Sequence, residues 1–484
     1  MRHSLKNSSK NKFTVVIKKD CPTCLLIEPV LNELVASYQD KISVYVQDDP
    51  AFPSSINNKI DDTSLEFSYR NQIEIVPTLI CSNSEQEIAR TVGWDKSEWQ
   101  QLTGLSNLGT NLVDFKPGCG SKSQDPGMEE QLAARFDSEK LSARKIELAD
   151  SEDEIEACFD RGWSDGLPVV PPTSLRVMRM LKGTKRAPDE IIGNIPPDNL
   201  PCTIEKVAIN AVMAGCKSEF FPTVLASVEA ALQDKFCMHG LLCTTYFSGP
   251  VMVVNGPVIK RIGMNCGVNA LGQGNRANAT IGRALQLLIR NVGGGVPGGI
   301  DRAVMGNPGK YTYCFAEDES DEDWATLAQD RGFERSDSVV NLFAGEGLQP
   351  IVDQQSRNPE SLAKNIANSL RSVVNSKLYG LADAILVVCP EHRRVLKQGG
   401  WTKADLRQAL LENLMTPGAD IIRGAQGIAE GMPEKFKNKT LNKFREDGLH
   451  ITSTGGKAGM FSAIISGWVA SGEKGSQLVS QKIQ

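Results

Sequence analysis

Histidine is scarce in this chain: four occur among 484 residues, at His3, His239, His392 and His450. No His/Cys spacing among them matches a zinc signature, and the single CxxC has no second CxxC, so no metal is expected. Long apolar runs are missing too. None approaches the roughly 18 residues that a spanning helix needs, so no membrane partner is expected. Residues 1–11 read as a polar tail without the apolar core of a signal peptide. A basic excess is also missing, since 53 Lys and Arg stand against 58 Asp and Glu, for a net charge of −5. With no spare cations to neutralise phosphates, nucleic acid is not expected as a partner. No nicotinamide or flavin fingerprint is present, and no cofactor is proposed.

What the chain has is length and thiol. It is too long for one core, and two or three domains are expected. Its 12 cysteines, with no secretory leader, read as mostly reduced thiols in a cytoplasmic setting. Cys21-Pro22-Thr23-Cys24 follows a strand-like run, Phe13 to Ile17, and opens a helix-like run, Leu25 to Tyr38. Paired thiols at a helix N-terminus suit reversible disulfide chemistry, because free N–H groups and the macrodipole stabilise a thiolate on the first. Pro22 presets the helical φ without wasting a donor. A structural zinc site is the alternative reading of this pair.

The first hundred residues continue as strand, helix, strand, turn, strand and helix. A helix is expected over Thr63 to Tyr69, strands over Ile73 to Cys81 and Ala89 to Val92, and a helix over Asp95 to Leu102 capped by Asp95. Val76-Pro77-Thr78 sets a proline inside a strand, where it removes a ladder donor. A cis X-Pro bond beside a functional site resolves that conflict. Together, Cys21-Pro22-Thr23-Cys24 and Val76-Pro77-Thr78 resemble the thioredoxin superfamily over roughly residues 12–106. The resemblance implies that Cys21 attacks, that Cys24 resolves, and that a cis-Pro77 loop binds substrate backbone. Gly93 would match the glycine that follows the last strand. The Pro-Thr dipeptide between the cysteines is closer to the glutaredoxin type, and the distance from Cys24 to Pro77 is longer than usual. Lys18 and Lys19 should favour a Cys21 thiolate, and Asp20 opposes them.

Residues 107–150 read as a linker rich in Gly, Ser and charge, with a helix-like run from Met128 to Arg144. Inside it, Lys116-Pro117-Gly118-Cys119-Gly120-Ser121-Lys122 sets a cysteine on flexible backbone between lysines expected to lower its pKa. Two readings stand: a third thiol that relays with Cys21 and Cys24, or a turn that happens to contain cysteine.

Residues 151–484 alternate strand, Gly-rich or polar loop, and helix four times, which predicts α/β with a mainly parallel sheet. The class for the whole chain is therefore α/β: an N-terminal thioredoxin-like fold plus a larger C-terminal α/β domain. Sites in such sheets lie beyond the strand C-termini. Two loops there are candidate anion binders: Asn275, Arg276 and Asn278 in one, and Gly455, Gly456 and Lys457 in the other. Cys216, Cys266 and Cys389 are the thiols of interest, and Cys389 with His392 could form a nucleophile and base. Trp163 to Pro172 reads as a rigid segment that serves packing alone, wraps a face or encloses a pocket. Asp165-Gly166-Leu167-Pro168-Val169-Val170-Pro171-Pro172, Ala214-Gly215-Cys216, Gly274 to Arg283 and Gly455-Gly456-Lys457-Ala458-Gly459 are similar to a poorly characterised bacterial family. That family is found joined to thioredoxin-like or to selenoprotein-type (UGSC) redox segments. The resemblance implies a redox association and no particular reaction.

Three functions follow as expectations. In the first, a thiol-disulfide oxidoreductase module supplies reducing equivalents to a fused domain that acts on a small anionic substrate. Its partners would be a redox protein or a small thiol. In the second, the larger part binds a ligand or protein and the thioredoxin-like part senses redox state or docks. In the third, a Cys389/His392 hydrolase or lyase is kept reduced by the thioredoxin-like domain.

Overall fold

A computed structural model describes residues 11–83, 86–137, 141–470, 472–473 and 475–484. The expected polar tail lies outside these residues, except for Asn11. Helix and sheet are mixed throughout, in two compact units: Met1–Lys140 and Leu141–Gln484. Among the described residues, no helix is long and apolar enough to cross a membrane.

In the first unit, β1 (Asn11–Ile17) is central because Val15, Val16 and Ile17 form an unbroken apolar run that is buried on both faces. It pairs in parallel with β2 (Ile42–Val46), which pairs in parallel with β3 (Lys59–Asp61). On its other side it pairs antiparallel with β4 (Thr78–Asn83), which pairs antiparallel with β5 (Gln86–Val92). The sheet order is β3-β2-β1-β4-β5. Helix Glu28–Tyr38 buries Val30, Leu31 and Leu34 in the unit's core, and helix Lys96–Thr103 sets Trp99 edge-on to Trp94.

The stretch expected as a linker is folded into this unit as far as Asp137. Phe115–Lys116 pairs with Trp94–Asp95, and Cys119–Gly120 pairs with Ile75–Val76. The buried Gln47 amide then donates to Ser68 Oγ at 2.7 Å and to Ser121 Oγ at 2.6 Å. It also accepts from Lys122 N at 3.0 Å. These bonds satisfy backbone and hydroxyl groups that a free linker leaves to water. The charged helix spans Met128–Phe136 and stops short of Arg144.

The second unit holds β6 (Gly249–Asn255), β7 (Cys314–Ala316), β8 (Val339–Val352), β9 (Ala384–Val388), β10 (Leu449–Ser453), β11 (Phe461–Gly467) and β12 (Val479–Lys482). Their order is β7-β6-β8-β11-β9-β10, with β12 beside β8. The expected mainly parallel sheet is corrected here. Among the described residues, only β6 with β7 and β9 with β10 pair in parallel, and the other four pairings are antiparallel. Two strand–helix–strand crossovers do exist. The residues Gly345-Glu346-Gly347, however, continue β8 through a register shift instead of ending it in a loop. Glycine serves a bulge as readily as a turn.

Val251, Val253, Phe315, Phe343, Ile385, Val387 and Ile465 share one apolar core. Alternate residues such as Met252 and Leu342 pack with helices Ile204–Ala214, Phe221–Ala231 and Arg276–Asn291. Leu386, Val388 and Ile464 pack with helices Pro359–Leu370 and Lys403–Asn413. The period of two splits each strand between these layers.

Candidate active site

Cys21 caps a five-residue helix, Pro22–Leu26, from an extended backbone. Its Sγ accepts a hydrogen bond from Cys24 N at 3.3 Å and lies 3.6 Å from the carbonyl oxygen of Val76. The Val76–Pro77 bond is cis. Gly93 N donates to Pro77 O at 2.7 Å. Gly93 has φ +70°, and a Cβ there would meet Gly118 N at 2.8 Å, so the position requires glycine twice over.

The two thiols are driven apart in character. Cys21 falls to about 5, chiefly through its hydrogen bond with the Cys24 side chain. Burial opposes this, and the Cys24 N–H and the Cys119 thiol add to the fall. Burial and the neighbouring Cys21 drive Cys24 far upward. The fold thus favours the anion at Cys21 and the thiol at Cys24.

Cys119 sits across from Val76 in register. Its thiol is raised, by burial first and by Cys21 second, which corrects the lowering expected from its flanking lysines. Those lysines are directed elsewhere: Lys116 Nζ donates to Pro22 O at 3.2 Å, and Lys122 faces Asp20 and Asp125 at 3.9 Å. Lys18 does pull the Cys119 thiol down, against that trend. Lys19 is paired with Asp49 at 2.6 Å.

The second unit repeats the cysteine cap. Cys389 ends β9 and caps helix Pro390–Gln398, its Sγ accepting from His392 N at 3.4 Å. The His392 ring is buried, with Nδ1 2.7 Å from Ser462 Oγ and Nε2 2.9 Å from Asp353 O. Burial alone would raise the Cys389 thiol, but His392 outweighs it and the thiol ends below its ordinary value. His392 is raised in return, against its own burial, by Cys389 and by the Asp353 carbonyl. Ser462 and Asp353 gave no signal in the sequence, because strand pairing alone brings them to the ring.

Other groups gather at nearby strand ends. Arg393 donates to Ser453 Oγ at 3.1 Å and pairs with Asp318 at 2.6 Å. Buried Glu317 accepts from Asn255 Nδ2 and Leu327 N, each at 2.7 Å, and burial raises its carboxyl. No spacing in the sequence pointed to these residues.

The two expected anion loops do meet: Thr454 Oγ1 and Gly455 N both donate to Cys266 O, at 3.0 and 3.1 Å. Gly456 packs near Val268, and Lys457 is exposed. Asn275 caps helix Arg276–Asn291, and Asn278 bonds to the backbone of Asn265 and Ala270. Arg276 Nε donates to Gly215 O at 2.9 Å. Cys216 is buried, bonded to Thr280 O at 3.3 Å and pushed up to about 12 by burial, so it stays a thiol. Burial and Asp318 raise Cys266. In the Trp163–Pro172 segment, Asp165 takes both arms of the Arg283 fork at 2.8 and 2.7 Å. Trp163, Pro171 and Pro172 border a cavity of about 950 Å³.

Among the described residues, no group of three or more His, Cys, Asp or Glu side chains is placed to hold a metal ion. No protein-family model matches this chain, and no curated protein matches it.

Proposed function

We propose that the first unit is a thioredoxin-like thiol-disulfide oxidoreductase module. It supplies reducing equivalents to the larger unit, which acts on a small anionic substrate. The observation that carries this reading is the geometry of the pair: Cys21 caps helix Pro22–Leu26 with its Sγ accepting from Cys24 N at 3.3 Å and lying 3.6 Å from Val76 O, and the two thiols shift in opposite directions. The order β3-β2-β1-β4-β5 and the Val76-Pro77 turn against Cys21 support it. The Cys21 thiolate opens a disulfide, Cys24 closes on Cys21, and two electrons leave as two reduced thiols. Reduction of oxidised glutathione by the full chain, driven by dithiothreitol, tests this. Cys21→Ser should fall to the uncatalysed rate, and an unchanged rate would sink the reading.

A second reading rests on Cys389 and His392. A thiol lowered by a buried imidazole is an activated nucleophile with its base, which suits a hydrolase or lyase.

A further inference from the structure

Residues 115–121 form a strap across the Cys21 site. Cys119 pairs with Val76, and Gly120 with Ile75, in antiparallel register. Thr23, inside the CxxC motif, donates to Pro117 O at 2.6 Å. A Cβ on Gly118 would meet Ile75 Cγ2 at 2.4 Å and Val76 O at 2.7 Å, so only glycine lets the strap lie this close. The backbone edge that an extended substrate strand would use is thus taken by the chain itself. The strap carries a cysteine at the position facing Val76, whose carbonyl lies against Cys21 Sγ. Cys21 is 1% exposed and Cys24 is 0%, whereas Cys119 is partly exposed.

We propose that Cys119 is the outer thiol of a three-cysteine relay, in which electrons leave the Cys21/Cys24 pair through a Cys21–Cys119 disulfide. The inference rests on the dithiol reading above and assigns the route by which that dithiol meets a small disulfide. Cys119, as thiolate, attacks an external disulfide RSSR, forms Cys119–S–R and releases one RS⁻. The Cys21 thiolate attacks Cys119 Sγ, forms Cys21–Cys119 and expels the second RS⁻. Cys24, giving its proton to solvent, then attacks Cys21 Sγ and expels Cys119 as the thiolate. Two electrons pass from the pair to RSSR, and both RS⁻ groups take protons. Cys119 and Cys21 act on each other's thiols, Cys119 drawing Cys21 down and Cys21 pushing Cys119 up.

The test traps the middle step. The full-length Cys24→Ser variant is treated with oxidised glutathione, quenched with N-ethylmaleimide, digested without reduction and mapped by mass spectrometry. The expected product is a peptide pair joined through Cys21 and Cys119, with no glutathione on either residue. Cys24→Ala, which suits the buried position, gives the same readout if the serine variant does not fold. Glutathione retained on Cys21 or on Cys119, or no linkage between them, overturns the relay. The dithiol reading fails separately, if the oxidised unmodified chain yields no Cys21–Cys24 linkage.

Discussion

Cys21-Pro22-Thr23-Cys24 and Cys389-Pro390-Glu391-His392 share their first two residues and their local geometry, and differ in the two that follow. In each, a cysteine with extended backbone caps a helix whose first residue is proline, and Sγ accepts the N–H three residues on, at 3.3 and 3.4 Å. In each, the cysteine thiol lies below its ordinary value. Where the fourth residue is a buried thiol, the two thiols shift in opposite directions. Where it is a buried imidazole, the ring lowers the cysteine thiol and is itself raised. The surroundings then differ in kind. Cys21 faces a carbonyl and a third thiol, whereas the His392 ring is fixed by the Ser462 hydroxyl and the Asp353 carbonyl. In both, the i+3 side chain does most to lower the capping thiol, and the backbone N–H at the helix N-terminus adds to it.

The sharpest way to break this comparison is to remove each cysteine in turn. Cys21→Ser should lower glutathione-disulfide reduction by about 100-fold or more, the scale of losing a covalent nucleophile, and Cys389→Ser should leave it within about twofold. Equal losses in the two variants would show that the sites are not separable.

The pH dependence comes next. Alkylation of Cys21 by iodoacetamide, read from its own peptide, should rise through pH about 5 and level off by neutral pH. Cys24 and Cys119, both raised, should still be gaining rate at alkaline pH. The stability of the reduced protein carries the same sign. The fold holds the Cys21 anion better than the unfolded chain does, since its thiol lies below the ordinary 9.0. That contribution is complete above pH 9.0 and is lost as pH falls through about 5. Urea melts of the unmodified chain and of Cys21→Ser should therefore differ more at pH 8 than at pH 5. At the other cap, His392→Ala should move the Cys389 alkylation profile to higher pH, because burial then acts without the imidazole.

The smallest expected effect concerns the strap. Gly118→Ala should cost about 1–3 kcal/mol, the usual scale of overpacking, and should speed alkylation of Cys119. Gly120→Ala, whose Cβ would meet nothing within 4 Å, should leave both unchanged. Chemical denaturation and peptide-resolved labelling distinguish the two.

The Cys21 cap was legible in the sequence because its parts lie within four residues; Cys389 and His392 were paired there too, but the helix Pro390–Gln398 that Cys389 caps was not expected. Pro77 was legible for a similar local reason. The alternation of strands and helices in the larger unit was also visible, but its direction was not. Gly345 and Gly347 suit a turn or a bulge equally, and strand pairing chose the bulge. The anion loops were read from their amides and glycines, but Asn275 and Asn278 hold their own backbone.

By itself, the sequence determined where a thiolate could form, since a helix N-terminus and the residue three positions on act within one turn. Only the tertiary structure decided what meets that thiolate. It laid Cys119 opposite Val76, turned the flanking lysines away from that thiol, buried Cys216 and brought Ser462 to His392. Sheet register and burial join residues far apart in the chain, and no local spacing records them.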